Sequence, residues 1–209
     1  NTINFNLGGS GVGTGFSGGV DSFCTIYDHY ELEKDPDYKI NSFLFLNVGS
    51  HGLGDKIKVE EKFNKRFNYL KQFPDEIGID FIPLNSNLHY FHPWGHQKTH
   101  TLTSASGVLI LQGLYKRYYY ASSGVDYDDM LKNAYKYREF SIGEYCEPIL
   151  LPLLSTESCE FISDGVQYTR VEKTLRVLNY EPVKRYLNVC ISGDDTHLNC
   201  SVCNKCCRT

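Results

Sequence analysis

No stretch of this chain carries the roughly 18 consecutive apolar residues that a membrane-spanning helix needs, and its N-terminus is polar and glycine-rich where a secretory signal would be basic and then apolar. No membrane partner is expected, and a cytoplasmic site is. A surplus of positive charge is also missing. With 21 Lys and Arg against 25 Asp and Glu the formal net charge is −4, so no broad polyanion-binding surface is encoded and a nucleic-acid partner is not expected. The short basic stretches Lys62 to Arg66 and Lys132 to Arg138 read as solvated helix faces. Methionine occurs once, as Met130, and the chain opens at Asn1, which reads as a fragment or trimmed product. Its 209 residues, 41% hydrophobic and 22% charged, suffice for one α/β domain with a small appendage and not for a second full domain.

What is present is a run of small residues, Ser17-Gly18-Gly19-Val20-Asp21-Ser22, followed directly by the helix-compatible stretch Phe23 to Tyr30. Gly18 and Gly19 let the backbone fold closely around a pyrophosphate, and Ser17 and Ser22 add hydroxyl donors. A helix starting near Asp21 would turn its unpaired N–H groups and positive dipole end to the same anion. Asp21 would itself repel phosphate, so a bridging Mg²⁺ is its natural partner. No lysine follows the glycines, which excludes the GxxxxGK(S/T) phosphate loop. Just upstream, Gly8 to Gly13 reads as a glycine turn that binds nothing.

The rest of the chain alternates between strand and helix patterns. Lys39 to Leu46 and Ile79 to Leu84 are short, apolar and bounded by turn residues, as buried strands are. Asp55 to Phe73 spaces Ile57, Val59, Phe63, Phe67 and Leu70 as an amphipathic helix does. Thr103 to Tyr115 suits a buried helix, and Arg117 to Ser122 a strand ending in the loop at Ser123-Gly124. This order implies an open, mostly parallel twisted sheet with helices on both faces, which binds ligands at the carboxyl ends of its strands. The loops Asn47 to Gly54 and Ser122 to Met130 fall at such ends.

Cysteines concentrate at the C-terminus as Cys190-x9-Cys200-x2-Cys203-x2-Cys206, with Cys207 adjoining. Four thiolates so spaced can close a tetrahedron around Zn²⁺, with Cys190 reaching back across a Gly-Asp-Asp turn. An iron–sulfur cluster is the rival occupant, and disulfides are disfavoured in a cytosolic protein. Cys207 is too close to Cys206 to share the ion. The chain is expected to divide into a domain over residues 1–187 and a zinc-binding Cys cluster over residues 188–209 packed on it.

SGGVDS resembles the signature of the PP-loop ATP pyrophosphatases, the adenine nucleotide alpha hydrolase-like superfamily. Together with the C-terminal cysteines it resembles the 7-cyano-7-deazaguanine synthase group, whose zinc site carries over onto Cys190, Cys200, Cys203 and Cys206. Phe45 to His51 is similar to that group's strand and YGQRH loop, Ser123 to Tyr127 to its GVNAxDY loop, and Pro148 to Leu154 to its PL-containing segment. The resemblance implies an ATP-dependent ligase. A carboxylate or amide oxygen of a small or modified-base substrate would be adenylated with release of pyrophosphate, and ammonia or another nucleophile would then displace AMP. Ser17, Gly18, Gly19, Val20, Asp21 and Ser22 would hold ATP, Asp21 acting through Mg²⁺, with His51 and Asp126 near the adenylate or the substrate. Homodimers are common in the group, and partner proteins are compatible with the chain. Three departures touch substrate and phosphate handling: Asp128-Asp129-Met130 replaces a substrate stretch, Ser155 to Ser158 stands where a lysine is expected, and Thr101 to Ser104 replaces an Arg-Asn pair. They leave two alternatives open: sulfur transfer to a nucleobase, with Cys24, Cys146 or Cys159 as relay, and a nucleotide-binding subunit without chemistry. His89, His92, His96 and His100, broken by Pro93-Trp94-Gly95, read as a substrate-side loop without a metal.

Overall fold

The structure, a computed structural model, describes residues 9–52, 54–91, 94–124, 126–128, 130–132, 146–190 and 199–209. Five strands, β1 Gly11–Gly15, β2 Ser42–Asn47, β3 Asp80–Asn85, β4 Tyr115–Ala121 and β5 Glu160–Asp164, form one sheet. Every pairing is parallel and the order is β3-β2-β1-β4-β5. The chain winds outward to β3, returns to the centre and continues on the other side of β1, so the switch point lies between β1 and β4. Pro83, which cannot donate a ladder hydrogen bond, sits in the edge strand β3.

Helices cover both faces, and alternation along the strands supplies two cores. Phe43 and Phe45 of β2 join Phe16, Phe23, Phe63, Phe73 and Tyr119 on one side, whereas Leu44 joins Tyr115, Tyr118, Leu151 and Phe161 on the other. Helices α1 Val20–Ile26, α2 Lys56–Leu70 and α3 Gln72–Ile77 belong to the first face, and α4 His96–Ile110 and α5 Glu147–Leu154 to the second. Helices α6 Arg170–Val177 and α7 Glu181–Tyr186 close the first face, and α8 Asn204–Cys207 ends the chain. Local signals set several starts: the Asp55 side chain accepts from Ile57 N–H at the head of α2, and Thr169 with Glu172 makes a reciprocal capping box on α6.

The glycine-rich segment before the Ser17-Gly18-Gly19 loop is a central strand and not a turn. A β-carbon on Gly13 would stand 2.5 Å from Tyr115 Cε1, and one on Gly11 2.5 Å from the Leu114 carbonyl oxygen. β1 is thus built of glycine because β4 presses a tyrosine against it. A bulge in the β1–β4 register, Gly11 opposite Tyr115 but Val12 opposite Arg117, turns Tyr115 onto the same face as Tyr118. Boundaries also differ from expectation: the helix expected over Asp55 to Phe73 ends at Leu70, and a separate helix starts at Gln72. α4 begins at His96, directly after the Trp94-Gly95 break, so Thr101 to Ser104 lies inside it, and Tyr115 already belongs to β4. Arg66 does not lie on a solvated face but turns toward the Ser17 loop, while residues 133–138 of the second basic stretch lie outside the described residues. No helix among the described residues is long and apolar enough to cross a membrane.

Candidate functional site

The loop from Phe16 to Gly19 leaves the carboxyl end of β1 and enters α1 at the switch point. Gly18 has φ +75°, a backbone conformation that side chains oppose, and a β-carbon there would meet Leu70 Cδ2 at 2.7 Å. Gly19 caps α1 and brings no side-chain acceptor to its first-turn N–H groups. Ser22 Oγ donates to the Gly19 carbonyl at 2.9 Å and lies 3.4 Å from Ser17 Oγ, which draws the two hydroxyls together.

Asp21, the second residue of α1, meets two cations from α6. Arg170 Nη1 donates to its Oδ2 at 2.5 Å, and Lys173 Nζ stands 3.4 Å from its Oδ1. Lys173 is 1% exposed and donates to the Ser122 carbonyl, 2.6 Å away, at the end of β4. One ammonium therefore joins α1 to the end of β4. Sequence reasoning missed both cations, because it sought a lysine near Ser155 to Ser158. The legible signal was the capping box at Thr169, which starts a helix that projects residues 170 and 173 from one face.

Glu147, 1% exposed at the start of α5, completes the group. Burial pushes its carboxyl up to about 7, against hydrogen bonds from Ser122 and Ser123 and the charge of Lys173; its Oε2 is buried with no hydrogen-bond partner among the described residues. Behind α1, Asp164 at the end of β5 accepts from Thr25 Oγ1 at 2.6 Å and pairs with His29 Nε2 at 2.8 Å, fixing the helix that carries Asp21.

His51 and Asp126 belong to the loops that follow β2 and β4. His51 packs edge-on against Phe45 and Phe63, with ring centroids 5.3 and 5.4 Å away, and its Nδ1 is 3.1 Å from Ser50 Oγ. Burial drives its pKa down to about 4, so the ring is neutral at pH 7. Asp126 is exposed beyond β4, and its backbone carbonyl accepts from Met130 N–H at 3.0 Å. A cleft of about 520 Å³ opens past the ends of β2 and β3, lined by Asn47, Lys56, Asn85, Asn87, His89 and Tyr90. Asn47 and Asn85, the last residues of those strands, are joined by a 2.7 Å side-chain hydrogen bond. His100 bonds Tyr120 through Nδ1 at 2.7 Å, and its pKa is likewise lowered to about 4 by burial. His92 lies outside the described residues.

The four cysteines Cys190, Cys200, Cys203 and Cys206 converge, with sulfur atoms all within 4.8 Å of one another. The Cys190–Cys203 and Cys200–Cys206 sulfur pairs are 3.9 and 4.0 Å apart. A tetrahedron of Zn–S bonds of about 2.3 Å has edges of about 3.8 Å, so this set can bind a metal ion such as zinc. Backbone N–H groups of Cys200, Cys203 and Cys206 point at the sulfurs of Cys190, Cys200 and Cys203 at 3.3 to 3.5 Å, as a thiolate site needs. Ser201, at φ +59°, supplies the left-handed turn of the knuckle. Cys207 is exposed and turned to the Ser201 carbonyl. The Gly-Asp-Asp turn lies outside the described residues. No protein-family model, curated protein or solved structure matches this chain.

Proposed function

We propose that the chain is an ATP-dependent adenylating enzyme of the PP-loop type, with zinc in its four-cysteine site. Its reaction activates a carboxylate or amide oxygen of a small or modified-base substrate for attack by ammonia or another nucleophile. The observation that carries the reading is the SGGVDS loop at the sheet's switch point, faced by Arg170 and Lys173. A leaving pyrophosphate needs convergent donors and positive charge in a partly dehydrated place, and this loop has both.

In the proposed reaction the substrate oxygen forms a bond to the α-phosphorus as the bond to the bridging oxygen of pyrophosphate breaks. The nucleophile then attacks the activated carbon, and AMP leaves with the electron pair of the cleaved C–O bond. The first-turn N–H groups of α1, Ser17 and Ser22 hold the departing phosphates. Lys173 and Arg170 neutralise their charge, a role for which the sequence had offered no residue. Bound Mg²⁺ would supply further neutralisation against the Asp21 carboxylate. The cleft beside Asn47 and Asn85 is the proposed seat of the acid, with Lys56 as its cation.

Sulfur relay is disfavoured by the three remaining buried thiols. Burial raises Cys24 to about 12 and Cys159 to about 11, and raises Cys146 as well, which withholds the thiolate that such chemistry requires. The test is turnover of ATP labelled at the α-phosphate, with Mg²⁺, ammonium and a panel of deazapurine and other carboxylates. Labelled AMP that depends on one acid is the expected result. Asp21→Asn is expected to lower that rate by about a hundredfold or more with the fold intact. ATP binding without AMP under every condition would overturn the catalytic reading in favour of a nucleotide-binding subunit.

A further inference from the structure

Arg66 pairs with no carboxylate among the described residues. Its Nη2 donates to three oxygens, the Ser17 carbonyl at 3.3 Å and the Asn188 carbonyl and Oδ1 at 3.4 and 3.5 Å. Among the described residues its Nε is buried with no hydrogen-bond partner, and none of the ion pairs includes it. A partly desolvated guanidinium with no counter-charge is costly. Burial lowers its pKa, and among the described residues the Cys190 thiol works against that shift. A divalent metal held by four thiolates carries a net charge of about −2, a counter-charge that no described residue otherwise offers Arg66.

The same residues reach the phosphate-type loop. Asn188, two positions before Cys190, donates its N–H to the Gly18 carbonyl at 2.7 Å, and Asn199, next to Cys200, bonds the Leu187 carbonyl and Val189 N–H at 2.7 and 3.0 Å. We infer that the metal–thiolate centre holds the Ser17-Gly18-Gly19 loop in its anion-binding shape through Arg66 and Asn188, so that metal and polyphosphate bind with positive coupling. Arg66 is thus a positioning residue. The polyphosphate half rests on the function proposed above; the dependence of loop order on metal does not.

Coupling of this kind is reciprocal. Pyrophosphate is expected to bind about tenfold tighter to zinc-loaded protein than to chelated protein, and zinc to be held against a chelator about tenfold better when pyrophosphate is present. Amide hydrogen exchange reads the loop directly. Metal removal should speed exchange at Gly18 to Ser22 and leave the β1 amides Gly11 to Gly15 unchanged. Arg66→Met should keep metal, measured by Co²⁺–thiolate absorption, yet lose the loop's response, and Arg66→Lys should restore part of it. Loop exchange that ignores metal in the unsubstituted protein, a full response in Arg66→Met, or equal acceleration throughout β1 would each overturn the inference. If loop exchange follows metal but pyrophosphate binds neither form, the coupling stands and the phosphate-site reading falls.

Discussion

Glu147→Gln isolates the energetic cost of the buried carboxylate. In the folded protein burial lifts this acid from 4.5 to about 7, so the native state holds the proton more tightly than the unfolded chain does. The stabilisation is fully present below pH 4.5 and is lost as pH rises through about 7, beyond which the ionised carboxylate is a net burden. At about 1.4 kcal/mol per tenfold change in affinity, the interval amounts to about 3 kcal/mol, an upper value because Lys173 and local relaxation soften it. Glutamine copies the protonated form in shape and keeps the oxygen that accepts from Ser122 and Ser123. The variant should exceed the parent by less than about 1 kcal/mol at pH 5 and by one to about three kcal/mol at pH 8. Urea unfolding of both proteins at several pH values between 5 and 8 measures the difference directly. Contributions from His51 and His100, whose lowered pKa values favour stability at higher pH, cancel in that comparison. A parent-minus-variant difference that stays flat from pH 5 to 8 would refute the reasoning, as would a variant that loses most of its stability above pH 7.

Further expectations concern the strand, the cluster and the cations. Gly13→Ala forces a methyl group to 2.5 Å from the Tyr115 ring, and should lower stability by about 1–3 kcal/mol in thermal or urea unfolding, with partial recovery in Gly13→Ala/Tyr115→Val. Unchanged stability in the single variant would show that β4 does not dictate glycine in β1. Mass spectrometry under native conditions should find one metal ion per chain, lost in Cys203→Ser and kept in Cys207→Ser. Lys173→Met should abolish pyrophosphate binding and loosen the Ser122 loop, whereas Arg170→Lys should weaken binding by a smaller factor, as isothermal titration would read.

The glycine loop that opens α1 and the cysteine cluster could be read from the chain because both are local: small residues before a helix start and cysteines at short spacing keep their geometry wherever the fold puts them. The strands Ser42–Asn47 and Asp80–Asn85 and the helix Lys56–Leu70 were legible for a related reason, since burial on one or two faces imposes a period on neighbouring residues. Segments whose identity depends on a distant partner were not. Gly11–Gly15 reads as a turn until Tyr115 is laid against it, and Arg170 and Lys173 look like ordinary helix cations until α6 packs beside α1 and brings them to Asp21. Arg66 belonged by pattern to a solvated face, yet the fold gave it the Ser17 carbonyl of the loop and the Asn188 carbonyl two residues before the cluster. Glu147 acquired its raised pKa in the same way. Desolvation and charge pairing are properties of the surroundings, and tertiary packing alone assembles the surroundings of residues so far apart along the chain.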